Sequence, residues 1–232
     1  MARWLLAVVL LLAPFGLSAC SAEGGSRPQG CDVAGVACLQ GTALVALETG
    51  KGTVRIQLDG AAAPLTAGNF VDLVNRGTYN GTVFHRVVRE PVPFVVQGGD
   101  PQTANPNVSP TQYGMGSYLD PLSGQSRLIP LELKLTKEET PRYGQQLTAP
   151  GITRQLALVH QRGAVAMARS NDPNSASAQF YIALQALPEL DGRYAVFGRV
   201  VQGMDVVDRI QQGDKLVKAR VLEGGTLVQA RP

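Results

Sequence analysis

The chain has 232 residues, of which 44% are hydrophobic and 17% charged, and its formal net charge is +3. That length suits one sizeable core with appendages, and the composition is that of an ordinary globular chain. So small a charge excess provides no electrostatic footprint for a nucleic-acid or polyacidic partner, and none is expected.

The first predicted element is "MARWLLAVVLLLAPFGLSAC", with a basic residue at Arg3, an apolar run from Trp4 to Ala13 broken by Pro14, and small residues before Cys20. This is a secretory signal pattern over residues 1–19. The run is shorter than the about 20 apolar residues of a spanning helix. Leu17-Ser18-Ala19-Cys20 resembles the bacterial lipobox, in which cleavage precedes the cysteine and its sulfur receives a diacylglycerol. Cys20 is therefore expected to carry lipid and to hold the mature chain at a membrane, outside the cytoplasm; the alternative is a plain signal peptide with an incidental cysteine. Two or three acyl chains, at roughly 0.8 kcal/mol per buried methylene, are enough for stable anchoring.

Residues 20–41 read as the lipidated tether, and "SAEGGSRPQG" (21–30) has the small, polar composition of a flexible spacer. Cys31 and Cys38 follow in "CDVAGVAC". In an oxidising compartment a local disulfide fits these two, as do two half-buried thiols. The histidines are His85 and His160 alone, and no Cys or His pair has ligand spacing supported by a second pair, so neither a metal nor another cofactor is expected.

From residue 42 the pattern turns to strands. "TALVALETGKGTVRIQL" predicts a hairpin turning at Thr49-Gly50-Lys51-Gly52. Its Gly-Lys-Gly-Thr lacks the earlier glycine and the following helix of a phosphate-binding loop, which argues against nucleotide binding. "APLTAGNFVDLVNRGTYNG" predicts a helix: Pro64 suits a first turn, Ala67, Phe70, Val71 and Val74 share a face, and Gly77 stops it. Short β-rich runs follow at 83–88 and 94–97. Residues 101–162 are rich in proline and glycine and predict irregular structure with a short helix near Lys134–Glu139; the segment is either a solvated insertion or an ordered functional loop. Further strands are predicted at 164–168, 178–183, 194–200 and 215–229, with a helix in "GMDVVDRIQQG" that places Met204, Val207 and Ile210 on one face. Many short strands with two helices predict a closed or nearly closed antiparallel barrel, because sheet edges must be removed or covered.

"FHRVV", "FVVQGGDP", "GAVAMARSNDPNSASAQFYI" and "LDGRYAVFGRVVQGMDVV" resemble, in order, the signature segments of cyclophilin-type peptidyl-prolyl cis/trans isomerases. The resemblance covers about residues 42–230. It implies a mainly β domain over residues 42–232, a closed eight-stranded antiparallel β-barrel capped by two α-helices, with a long insertion at about 101–162. The implied partners are proline-containing polypeptides, met by a monomeric domain, and the implied role is assistance to the folding of exported proteins at the membrane surface.

The chemistry such an enzyme needs is modest in kind. Rotation about an X-Pro bond faces a barrier of about 18–20 kcal/mol because amide resonance is lost. No nucleophile is required; a donor to the proline nitrogen, which recovers its lone pair as the amide twists, is. A guanidinium stays charged and holds its donors in a rigid fork. The resemblance gives this part to Arg86, with Phe94 and Gln97 beside it. It places Phe94, Val95, Tyr181 and Leu190 around the proline ring, and Gln97, Ala168, Arg169 and Gln179 along the peptide groove. Tyr194 stands where many eukaryotic members have histidine. His85 reads as a packed or hydrogen-bonded strand residue, since the reaction moves no proton.

Four departures qualify the resemblance. Arg89-Glu90-Pro91-Val92-Pro93 lengthens the turn before Phe94, Glu189 replaces a tryptophan that often borders the pocket, Arg169 replaces the usual groove asparagine, and residues 101–162 lack the usual glycine-rich connection. An alternative reading is therefore a proline-peptide-binding or chaperone-like module with little turnover. A Ser-His-Asp hydrolase is disfavoured, because no nucleophile-elbow pattern is present.

Overall fold

Alternating apolar residues build the first two strands. In the computed structural model, which describes residues 1, 31 and 36–229, β1 (Ala37–Thr49) and β2 (Gly52–Asp59) pair antiparallel from Thr42↔Asp59 to Thr49↔Gly52. Val45, Leu47, Val54, Ile56 and Leu58 all point into the core, as the period-2 pattern requires. Cys20, the rest of the expected signal beyond Met1, and the tether to residue 30 lie outside the described residues.

β1 begins at Ala37, inside the span 20–41 that the sequence reads as a tether. Val36, Cys38 and Leu39 are apolar enough to be covered, and Ala37–Gln40 pair with the end of β10 (Leu216–Gln229). Cys38 is joined to Cys31 by a disulfide, with Cα atoms 5.6 Å apart. This segment crosses helix α1 (Pro64–Asn75) at Gly68, where a Cβ would come within 2.0 Å of the Ala37 carbonyl oxygen. Glycine is what lets the two backbones meet.

Ten of the twelve α1 residues are buried, the expected face of Ala67, Phe70, Val71 and Val74 among them. Phe70 packs on Tyr79, Phe180 and Phe197, with ring centroids 4.9–5.2 Å away. Its N-cap residue, Ala63, offers no side-chain acceptor. Glu132, from the distant insertion, fills that role: its carboxyl oxygens accept from Leu65 N (3.0 Å) and Thr66 N (2.7 Å) and from the Tyr143 hydroxyl (2.9 Å). Burial raises the Glu132 pKa, partly offset by these donors.

The remaining strands of the main sheet are β3 (Arg86–Val87), β4 (Val95–Gly98), β7 (Ala164–Met167), β8 (Phe180–Ala183) and β9 (Val196–Gln202). With β10 they form one antiparallel sheet in the order β10-β1-β2-β9-β7-β8-β4-β3. The expected closed barrel is not formed. Its eight strands are present, but the edge strands β3 and β10 share no ladder, since β3 has only two residues. The segments beside them meet at one antiparallel bridge, Val83↔Lys215, flanked by backbone hydrogen bonds between residues 81–84 and 213–216. Helix α3 (Met204–Arg209) is the second expected helix; it stops before Gly213, and Arg89 donates to the carbonyls of Val207 (3.1 Å) and Ile210 (2.8 Å) at its end.

The insertion is ordered and has a core of its own. Leu131, Leu133, Leu135, Leu147 and Leu156 bury one another against Ala195, and β5 (Glu132–Leu133) pairs with β6 (Arg142–Tyr143). The helix expected near Lys134–Glu139 is absent. Leu135 instead bridges Leu156, and Thr136 N donates to Gln155 O, which holds this stretch extended and then turned. A one-turn helix, α2 (Pro150–Thr153), occurs later in the segment.

Candidate active site

The pleat of the sheet separates two apolar populations. Val96, Val165, Met167, Phe180, Ile182 and Phe197 face the main core with α1, while Val95, Ala164, Ala166, Tyr181, Ala183 and Val196 form a second cluster on the opposite face. Cross-strand register then fixes one row on that outer face: Arg86↔Gln97, Gln97↔Tyr181, Tyr181↔Ala166 and Ala166↔Val196. The row runs from a cation through an amide to an aromatic ring and an apolar floor.

At the polar end, Arg86 is exposed at the sheet edge rather than enclosed in a buried strand. Its Nη1 lies 3.5 Å from Gln97 Oε1, the outer limit of a hydrogen bond, and its Cζ lies 5.6 Å from the Phe94 ring centroid. Gln97 Nε2 donates to Gln179 Oε1 (3.2 Å), and Gln179 Nε2 donates to the carbonyls of Gly114 (3.0 Å) and Gly116 (2.8 Å). The amide chain thus ties the insertion to the groove. Asp100, fully buried, holds the same loop by accepting from Gly114 N (2.7 Å) and Gly116 N (3.2 Å).

At the apolar end, half-buried Phe94, Ala168, Leu190 and Tyr194 pack on the cluster that contains Val95 and Tyr181. Val95 is 2% exposed and underlies the surface rather than lining it. With the lengthened turn in place, Phe94 still packs on that cluster. Val88 N donates to Val95 O and Phe94 N to Val88 O, so Arg89–Pro93 bulge beyond a ladder that is already closed.

Arg169 does not add a free cation to the groove. Its Nε and Nη2 donate to Arg193 O (3.1 and 2.6 Å), its Nη1 donates to Ser170 O and Asn171 O (2.7 and 3.2 Å), and its Cζ stands 4.6 Å from the Tyr194 ring centroid. A guanidinium has donors enough to satisfy three carbonyls and still present its plane to a ring. Glu189 is exposed in the turn Pro188–Leu190 on the rim.

Two features were not legible beforehand. His85 is packed, but both of its ring nitrogens are buried without a hydrogen-bond partner among the described residues, and burial lowers its pKa against the opposing effect of Asp100. His160, 2% exposed, bonds Asp191 on one side and the Tyr181 hydroxyl on the other. Burial lowers its pKa, against the Asp191 carboxylate, and burial raises that of Tyr181. The one available signal was Tyr181 itself, since a phenol in an apolar cluster needs a partner for its hydroxyl.

The model of the family described as cyclophilin type peptidyl-prolyl cis-trans isomerase/CLD matches residues 44–231. A provisionally named thylakoid lumen peptidyl-prolyl cis-trans isomerase of Synechocystis sp. is 38% identical over 196 residues, covering 80% of this chain and 48% of that protein. A chloroplastic peptidyl-prolyl cis-trans isomerase of Arabidopsis thaliana is 38% identical over 180 residues, covering 73% of this chain and 38% of that protein. This chain therefore spans half or less of the length of these two relatives. Among solved structures, a cyclophilin from Hirschia baltica superposes with a TM-score of 0.54 at 26% identity, covering 79% of this chain and 75% of that one.

Proposed function

Since the chain belongs to the cyclophilin-type peptidyl-prolyl cis-trans isomerase family, we propose that it isomerises X-Pro bonds in exported polypeptides, with Arg86 stabilising the twisted amide. The observation that carries this reading is the row Arg86–Gln97–Tyr181–Ala166, which sets a guanidinium at one end of an apolar floor. The proline ring sits over Tyr181 among Phe94, Leu190 and Tyr194. Its nitrogen then faces Arg86, while Gln97, Gln179 and Ala168 hold the flanking chain.

One charge-assisted hydrogen bond contributes roughly 1.5–3 kcal/mol, about 10- to 100-fold in rate. The rest comes from the fit of a largely dry pocket to the twisted amide. Nothing in this scheme moves a proton, which agrees with two histidines whose buried rings favour the neutral form.

The site of action is outside the cytoplasm, in keeping with relatives named for the thylakoid lumen and the chloroplast. Lipid on Cys20 tethers the monomeric domain there, and mass spectrometry of the mature N-terminus checks this directly: an intact, unmodified signal segment would refute it.

Exchange NMR on a short Ala-Pro peptide tests the activity. The wild-type chain accelerates exchange, and Arg86→Ala lowers kcat/KM about 10- to 100-fold with its circular dichroism unchanged. A folded Arg86→Ala protein with full turnover would sink the role of the guanidinium. Peptide binding without acceleration by the wild type would make the chain a binding module instead.

A further inference from the structure

Beneath the pocket lies a polar chain that the isomerisation scheme does not use. Asp191 Oδ1 accepts from both the backbone N–H and the ring Nδ1 of His160, each at 2.8 Å. A carboxylate oxygen only accepts, so Nδ1 carries the proton. In the neutral ring Nε2 is then the bare nitrogen, and the Tyr181 hydroxyl, 2.9 Å away, donates to it. The imidazole and phenol rings lie nearly parallel, 10° apart with centroids separated by 5.9 Å.

The same histidine also holds the pocket wall through its main chain. His160 O accepts from Leu187 N at 2.8 Å, so residues 187 and 191 are both fastened to residue 160, with Leu190 between them. The far end of that wall returns to the floor, where Tyr194 meets Tyr181 edge to face at 6.0 Å. Floor and wall come from elements distant in sequence, and His160, near the end of the insertion, is bonded to both.

We propose that His160 and Asp191 are positioning residues for the proline pocket, locking the Tyr181 floor to the Leu190–Tyr194 wall and turning the Tyr181 hydroxyl away from the bound ring. This inference rests on the isomerase reading above. A hydroxyl satisfied from behind leaves ring carbon facing the substrate, which is the surface a pyrrolidine ring prefers. A pocket gripping the ring alike in the ground state and the transition state governs KM rather than kcat.

The test compares Tyr181→Phe, Asp191→Ala and Asp191→Asn in the full chain, using a tetrapeptide containing Ala-Pro. Tyr181→Phe keeps the ring but cuts the link; KM rises about 3- to 10-fold with kcat within about two-fold, the signature of lost uniform binding. Asp191→Ala raises KM likewise, and Asp191→Asn, whose amide oxygen can still accept from His160, restores it toward wild type. A purely structural pair would instead lower thermal stability and leave the KM of the folded protein unchanged, and that result overturns the proposal. A wild type that binds peptide without turnover defeats the isomerase reading alone, and the peptide Kd of the same variants then decides this one. Should no binding be seen, the amide resonances of residues 187–194 decide: displaced in Tyr181→Phe they support the lock, unmoved they end it.

Discussion

Arg86 and Gln97 are ladder partners on β3 and β4, and the Gln97 amide is turned so that its oxygen faces the guanidinium while its N–H donates to Gln179. Among the described residues the Arg86 guanidinium makes no other hydrogen bond, so most of its five donors remain open. In the proposed scheme Gln97 thus aims the cation without consuming it.

From this arrangement Arg86→Lys is expected to be impaired nearly as much as Arg86→Ala, since a point ammonium on a flexible stem reproduces neither the fork nor its contact with Gln97. Gln97→Ala leaves the charge in place and costs less, about 3- to 10-fold in kcat/KM, because the bond lost is long at 3.5 Å. Exchange NMR on one peptide ranks the three. Gln97→Ala more damaging than Arg86→Lys would reverse the assigned roles.

Arg169 joins the 169–171 stretch to Arg193 O and covers Tyr194. Removing it in Arg169→Ala loosens the pocket wall, and KM rises about 2- to 5-fold, the equivalent of the about 0.5–1 kcal/mol of an exposed cation–π contact. Salt dependence of substrate binding separates this role from a direct one. A guanidinium turned onto its own loop leaves that dependence unchanged on mutation, whereas a cation contacting an acidic peptide would not.

Burial lowers the pKa of both histidines, so the unfolded chain binds protons that the native state resists. Stability from these residues is fully present above the ordinary histidine value of about 6.5 and is lost as pH falls below it toward the lowered native values. Among the described residues His85 has unpartnered ring nitrogens, with Asp100 and Arg86 the charged groups acting on it. His85→Gln is expected to remove its share of the slope, at most one proton's worth. Urea midpoints of both proteins across pH 5–8 check this; parallel curves would show that His85 titrates alike in both states.

Gly192 has φ +73°, and a Cβ there would lie 2.0 Å from the Leu147 carbonyl oxygen. The backbones also share a hydrogen bond, from Leu147 N to Gly192 O. Gly192→Ala must separate the insertion from the pocket wall, costing at least about 1–3 kcal/mol for the backbone conformation alone. Its urea midpoint falls and KM rises together. An unchanged KM would show that the wall stands without the insertion.

How far the sequence carried depends on the range of the interactions involved. The β1–β2 hairpin and α1 were legible because their cues are local: period-2 apolar residues, glycines at the turn, proline at the first helical position. Strand locations followed for the same reason. Closure did not, because whether β3 and β10 share a ladder is decided between segments some 130 residues apart, and β3 proves too short. Phe94, Val95, Ala168, Tyr181, Leu190 and Tyr194 do gather in one cluster, which only the family resemblance could foretell. The resemblance put Arg169 along the groove but not its guanidinium against Arg193 O and the Tyr194 ring, since a side chain with four hydrogen bonds is placed by those bonds. Nor did it mark Glu132 or His160, whose partners lie 66 and 21 residues away.

The place of β1 in the sheet has a mechanical consequence. A pull entering the domain at Val36 meets a thirteen-residue strand paired on both sides, with β10 and β2, and runs along the strand axis. Those ladders carry the load in shear, many hydrogen bonds at once, instead of opening one by one. The groove strands β8, β4 and β3 stand at the opposite end of the sheet order, separated from β1 by β2, β9 and β7. Neither ladder partner of β1 carries a groove residue, so a chain held at its N-terminal side loads β10 and β2 directly and the groove strands only through them.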